Sequence, residues 1–142
     1  MPRIEGTQVG IDPNGRAVYR PIVIVQLEAN GMGMQGPAIV DSGADTTMVP
    51  AEIAAGLGID YAKLPGGTKG KGVGGACESR MASLTVCYQS WRLTGQIAIA
   101  EPKRLDVVLL GRADFFQRFV VRFNWFKSPP EFHLDPANVG KP

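Results

Sequence analysis

The sequence predicts an all-β protein, a closed sheet or barrel of short strands carrying two brief helices. Three observations carry this. Short apolar or alternating runs recur from Thr7 to Leu134. Turn signals such as Asp12-Pro13-Asn14-Gly15 and Asn30-Gly31 separate them. Glycine and proline, at 18 and 11 of 142 residues, exceed their ordinary share.

In chain order, Thr7–Ile11 and Arg16–Leu27 are expected strands around the Asp12–Gly15 turn, where Pro presets the corner and Asn-Gly accepts positive φ. Pro21–Val25 is β-branched and apolar on both faces, which suits a barrel wall. Asn30-Gly31-Met32-Gly33 turns the chain into a strand that ends at Asp41, and Thr46–Val49 continues extended. Pro50–Gly58 reads as a helix: Pro opens it, Glu52 lies in the first turn, Ile53 and Leu57 share a face, and Gly58 closes it. Pro65–Gly75 has six glycines in eleven residues, too many for a helix or an ordinary strand. Strands follow at Cys77–Val86 and Trp91–Ala100, and Asp106–Gly111 is a second apolar run stopping at glycine. Arg112–Phe119 reads as a short helix with Phe115, Phe116 and Phe119 in the core. Val120–Phe123 and Glu131–Leu134 are late strands joined across Ser128-Pro129-Pro130. One domain is expected over 1–142, with its core at about 16–134 and a frayed tail at 135–142.

Composition narrows the function. An apolar fraction of 44%, a charged fraction of 20% and a net charge of +2 are those of an ordinary globular protein. Basic residues are scattered, so neither nucleic acid nor an acidic membrane is an expected partner. Met1–Glu5 lacks the apolar core of a secretion signal and no run reaches membrane-spanning length, which points to a cytoplasmic protein. Cys77 and Cys87 make no disulfide framework and are expected as buried or half-buried thiols. With His133 the single histidine, and expected on a strand surface, no zinc site is anticipated. Trp91 and Trp125 are expected to serve packing.

Chemistry concentrates at Ala38-Ile39-Val40-Asp41-Ser42-Gly43-Ala44-Asp45. An apolar strand breaks into a tight turn at a carboxylate, which is costly there unless hydrogen-bonded or used in a reaction. Gly43 admits backbone torsions that other residues resist, and the amides of Gly43 to Asp45 are candidate donors. Taken alone, the tripeptide is equally an Asx-type turn closing a strand. The glycine loop has several readings. As a phosphate loop its glycines are misplaced, and Gly72 stands where Ser or Thr would bind magnesium. As a dinucleotide fingerprint, Gly70-x-Gly72-x-x-Gly75 matches formally, but no clear strand precedes it and a strand rather than a helix follows. A plain hairpin tip also fits.

Taken together, Asp41-Ser42-Gly43-Ala44-Asp45, Gly72-Val73-Gly74-Gly75 and Leu109-Leu110-Gly111-Arg112 resemble, in order and spacing, the retropepsin-like aspartic proteases. The fit spans about 16–134, and the ending Gly111–Phe119 followed by a strand pair resembles the bacterial branch. The resemblance implies an acid-protease barrel with Asp41 as the catalytic carboxylate. Ser42 and Gly43 would form the active-site turn. Ile39, Ala44, Asp45, Gly72, Val73 and Leu109 would contact substrate. Gly70, Lys71, Gly72, Val73, Gly74 and Gly75 would form a mobile flap, and Asp45 would pair with Arg112, expectedly buried. Two departures stand out: Ser replaces the more usual Thr after Asp41, and the Pro50–Leu57 helix lengthens the segment before the flap.

Peptide hydrolysis of this kind needs two adjacent carboxylates, one charged to activate water and one protonated to donate to the carbonyl. The chain holds one Asp-Ser-Gly, so the mechanism demands a homodimer in which a second copy supplies the other Asp41. The implied function is an aspartic endopeptidase acting on peptides or polyproteins, without metal or organic cofactor. The alternative is a retropepsin-like dimerisation or peptide-binding module that cleaves nothing.

Overall fold

The computed structural model describes residues 3–72 and 75–137. Among these, alternating and β-branched runs form β1 (Arg3–Glu5), β2 (Thr7–Ile11), β3 (Ala17–Arg20), β4 (Ile22–Ala29), β5 (Met32–Val40) and β6 (Met48–Pro50). There follow a helix α1 (Ala51–Ala55), a 3-10 turn (Tyr61–Lys63), β7 (Thr68–Gly72), β8 (Gly75–Tyr88), β9 (Trp91–Ala100), β10 (Val108–Leu110), β11 (Phe119–Asn124) and β12 (Glu131–Pro136).

The barrel runs β4-β5-β10-β6-β9-β8 and closes by pairing β8 back onto β4, Leu27 opposite Val86. The closing contact is short, Gln26 to Glu28 against Thr85 to Cys87. Side chains alternate across the wall: Val23, Val25 and Leu27 point inward with Val40, Leu84, Val86, Ile97, Ile99, Val108 and Leu110, all buried. Each such burial contributes roughly 1.5–3 kcal/mol. Ile24, expected inside the wall, is 58% exposed. Period-2 geometry turns it outward between two buried valines, and none of the described elements buries it there.

Local signals explain the joints. Asn30 and Gly31 take φ of 53° and 73°, giving the two-residue hairpin turn between β4 and β5. Met32 and Gly33, expected in this turn, instead open β5. The expected long strand from Arg16 divides at Pro21 into β3 and β4, because proline lacks the N–H that would continue a ladder. The helix proper ends at Ala55, earlier than expected, and turns carry the chain on to a stop at Gly58. Ile59 N–H bonds Ala54 O at 3.0 Å, Gly58 N–H bonds Ala55 O at 3.0 Å, and Gly58 takes φ 77°. These are the two bonds of a Schellman stop with glycine in the left-handed position.

Two further expectations are corrected. Arg112–Phe119 is a run of overlapping turns, not a helix. The N–H groups of Arg112 and Ala113 bond Ala44 O and Asp45 O at 2.9 and 2.8 Å, and Phe119 already enters β11. Gly111 O accepts from both Phe115 and Phe116 N–H, at 3.1 and 3.2 Å, so the regular helical ladder is not carried on; the second helical element is the 3-10 turn. Likewise Thr68–Gly72 is a strand despite its glycines, because β8 supplies an in-register partner, Thr68 opposite Ser79 and Gly72 opposite Gly75.

A second sheet, β1-β12-β11, ties the two ends of the chain together, with Ile4 opposite Phe132 and Val121 opposite Leu134. β12 runs to Pro136, and Ala137 N–H bonds Arg118 O at 2.8 Å, so order reaches into the segment expected to fray. Residues 138–142 lie outside the described residues. Phe115 and Phe119 are buried with rings 4.6 Å apart, and Trp91 packs on Phe115 at 5.3 Å, as expected of packing aromatics. No helix among the described residues is long and apolar enough to cross a membrane.

Candidate active site

Two parallel apolar strands bring the site together. β10 lies beside β5 with Val108 opposite Ala38, Leu109 opposite Ile39 and Leu110 opposite Val40. Asp41 follows directly, and its N–H bonds Leu110 O at 3.0 Å, extending the ladder by one residue. The chain then folds back: Ala44 N–H bonds Asp41 O at 3.2 Å, and Gly43 N–H bonds Asp41 Oδ1 at 2.8 Å. The carboxylate thus sits at the mouth of an apolar strand pair, held by an amide two residues on. Gly43 does not take a positive φ. A Cβ there would stand 3.2 Å from Asp41 Oδ1, a tight approach to which the carboxylate would have to yield.

Behind this turn lies a network that the sequence did not disclose. Thr47 is 1% exposed; its hydroxyl donates to Asp114 Oδ1 at 2.6 Å and its N–H to Asp114 Oδ2 at 3.0 Å. Gly111 N–H donates to Thr47 Oγ1 at 3.2 Å, and Phe115 N–H to Asp114 Oδ1 at 2.7 Å. Asp114 therefore joins the loop after Asp41 to the turns after β10. A Cβ on Gly111 would meet the Thr46 carbonyl carbon at 2.3 Å, so glycine is the one residue that lets the two loops touch. Thr47 and Asp114 are 67 positions apart, and neither carries a local signal of the pairing.

Asp45 and Arg112 form the expected ion pair, but not a buried one: their side chains are 87% and 58% exposed. In a single chain both stand on the open face that bears Asp41, where water screens the pair.

Asp41 and Ser42 line a groove of about 400 Å³. Ile39 and Leu109, both expected to touch substrate, form part of its wall, as do Tyr19, Phe123 and Trp125. The aromatic contributions were missed; Trp125, expected to pack, is 39% exposed and lies edge-on to Phe123 at 5.8 Å. No periodicity marks them: Tyr19 comes from β3, Phe123 from β11 and Trp125 from the turn after it. Ala44 and Asp45 lie in the turn beyond Gly43 and do not line this groove.

The expected flap falls on the β7–β8 hairpin, which contains Gly70, Lys71, Gly72 and Gly75. Val73 and Gly74 lie outside the described residues. A strand, β8, follows these glycines where a helix would be needed, so Gly70-x-Gly72-x-x-Gly75 has no dinucleotide-binding context. Cys87 is a half-buried free thiol, its pKa pushed up by burial; the Cys77 side chain lies outside the described residues. His133 is half-buried in β12. Among the described residues no group of three or more His, Cys, Asp or Glu is placed to hold a metal ion.

A closed barrel with an Asp-Ser-Gly turn at the mouth of two parallel strands defines the acid-protease class. Residues 10–113 match the aspartyl protease family, and the chain belongs to that family in its retropepsin-like form. Among solved structures, EIAV protease complexed with the inhibitor HBY-793 is similar, with a TM-score of 0.52 and 26% identity over 66% of this chain and 83% of that one. A retropepsin-like aspartic protease from Rickettsia conorii covers 94% of this chain and 99% of its own, with a TM-score of 0.56. At 18% identity that likeness concerns the fold. No curated protein matches the chain.

Proposed function

We propose that this protein is an aspartic endopeptidase that hydrolyses peptide bonds of extended polypeptides. Asp41 of one copy and Asp41 of a second form the reacting dyad. The observation that carries the reading is the placement of Asp41: a carboxylate at the mouth of two apolar strands, steadied by the Gly43 amide and opening on a groove walled by Ile39 and Leu109. The charged carboxylate takes a proton from water as its oxygen attacks the carbonyl carbon. The protonated one donates to the carbonyl oxygen. The first, now carrying the water proton, gives it to the departing nitrogen, while the second takes a proton back from a hydroxyl of the tetrahedral species. The C–N bond breaks and the dyad is restored. Two carboxylates this close share one proton, since both cannot ionise.

Within this reading the active form is a homodimer, and Ser42 and Gly43 keep the two turns in register. Ala44 and Asp45 meet substrate backbone, with Arg112 orienting Asp45. The Gly70–Gly75 hairpin serves as the flap that covers the peptide and excludes water. The chemistry calls for no metal or organic cofactor, and the protein works in the cytoplasm. The test is Asp41→Asn, assayed on unfolded protein from acidic to neutral pH. The expected loss of rate is on the order of 10³-fold or more; activity surviving the substitution would end the reading.

A further inference from the structure

The β7–β8 hairpin parts from the barrel at a single residue. Ser79 is paired with Ala100 of β9 on one side and with Thr68 of β7 on the other. From Ser79 to Tyr88, β8 lies against β9; from Ser79 toward the turn, its ladder is with β7.

Several independent contacts converge at that point. Glu78 is tied to the segment after β9 by two bonds, its N–H to Glu101 Oε1 at 3.1 Å and its carbonyl from Glu101 N–H at 3.0 Å. One residue past the junction, Arg80 Nε pairs with Glu78 Oε1 at 2.8 Å. Its Nη1 donates to Tyr61 O at 3.2 Å and Leu64 O at 3.3 Å, carbonyls in and just after the 3-10 turn that feeds the hairpin. The guanidinium also lies over the Tyr61 ring, 4.7 Å from its centre. The Tyr61 hydroxyl returns to Glu78 Oε1 at 2.7 Å. Partial burial, then this bond and the Glu78 charge, push the phenol up to about 12. From the other side, Gly67 fits so closely that a Cβ would stand 2.6 Å from Glu78 Cγ and 2.8 Å from Ser79 O.

We propose that Arg80, acting with Tyr61 and Glu78, is a positioning residue that clamps the root of the hairpin and fixes where it pivots over a bound peptide. The planar guanidinium suits this role because it stacks, pairs with a carboxylate and bridges two carbonyls at once, which a lysine ammonium does not. Both strands beyond the root are then free to bend as a unit, while the barrel side of Ser79 keeps its place. The proposal rests on the hairpin being the cover of a peptide held at Asp41.

Amide hydrogen exchange on the full chain, read beside peptidase kinetics, tests it. In Arg80→Met, exchange of amides 61–72 and 75–79 should quicken about tenfold or more, the scale of a lost charge-assisted bond, with β4 and β5 as in wild type. KM for a peptide should rise by about the same factor, with kcat changed less. Arg80→Lys should not restore KM. Tyr61→Phe, which keeps the ring and removes the hydroxyl, should give a smaller change in the same direction and serves if Arg80→Met folds poorly. Unchanged exchange at the root, an equal rise in β4 and β5, or rescue by lysine would each overturn the clamp. Exchange needs no turnover, so an inactive wild type would sink the protease reading and still leave the clamp tested. Hairpin loosening with unaltered KM in an active enzyme would sink the positioning role alone.

Discussion

The turn after β5 and the β7–β8 hairpin are both rich in small residues and both lie at the ends of strands, yet they are fastened differently. The turn at residues 41–47 is bound through its length: Asp41 to Leu110, Ala44 to Arg112, Asp45 to Ala113 and Thr47 to Asp114. The hairpin is bound at its root by Glu78, Arg80 and Tyr61, and beyond Ser79 its strands pair with each other. A reacting carboxylate gains from a fixed position, whereas a cover must admit and release a chain. Under the proposed function, the two fastenings divide those duties.

The comparison breaks most readily at Gly111. Gly111→Ala forces a methyl into the Thr46 backbone, and the expected cost is about 3 kcal/mol or more, read as a lowered denaturant midpoint. A stable variant would mean that the two loops are not held as close as described. Next comes Asp114→Ala, which removes the acceptor of the Thr47 hydroxyl and amide and of the Phe115 amide. A loss of about 2–3 kcal/mol is expected, together with faster amide exchange at Thr47 and Gly111 but not at Thr68 to Gly72.

A third region, the terminal sheet, supplies a pH control. Lys127 pairs with the buried Glu131 at 2.6 Å. That hydrogen bond and the charges of Lys127, Arg3 and His133 hold its carboxyl below the ordinary 4.5, against burial, which raises it. A depressed folded value stabilises the protein above the unfolded carboxylate range, and this stability fades as pH falls through the folded value. In Lys127→Met the main cause of that depression is gone, so melting temperature should fall near neutral pH and the gap to wild type should close as pH drops through the acid range. A gap that stays constant with pH would show that the pair does not govern the acid limb. The smallest effect belongs to Asp45→Ala. Its exposed pair with Arg112 is worth about 1 kcal/mol or less to a single chain, so a large loss in isolated subunits would contradict its exposure there.

Much of this was legible where the signal is local. Trp91–Ala100 keeps the bounds its alternation suggests, and Asn30-Gly31 and Gly58 take the backbone forms their residue types favour. Asp41 stands where an apolar run meets a turn, as read. What escaped depends on distant neighbours. Ile24, turned outward by strand alternation, stays exposed because no described element packs over it, and Thr68–Gly72 is a strand because β8 lies alongside. Arg112–Phe119 fails as a helix because Phe116 N–H turns back to Gly111 O and Phe119 is drawn into β11. Thr47 with Asp114, and Trp125 in the Asp41 groove, are joined by the fold across 67 and 84 positions (125 − 41).

The sharing of one site by two copies is tested most directly by mixing. Wild-type protein is unfolded and refolded with an equal amount of Asp41→Asn, and peptidase activity per wild-type chain is measured. Random pairing leaves half of the wild-type chains in mixed dimers, so activity should fall to about half and decline further as the variant is raised. Activity that holds constant at every ratio would show that each chain works without a second Asp41.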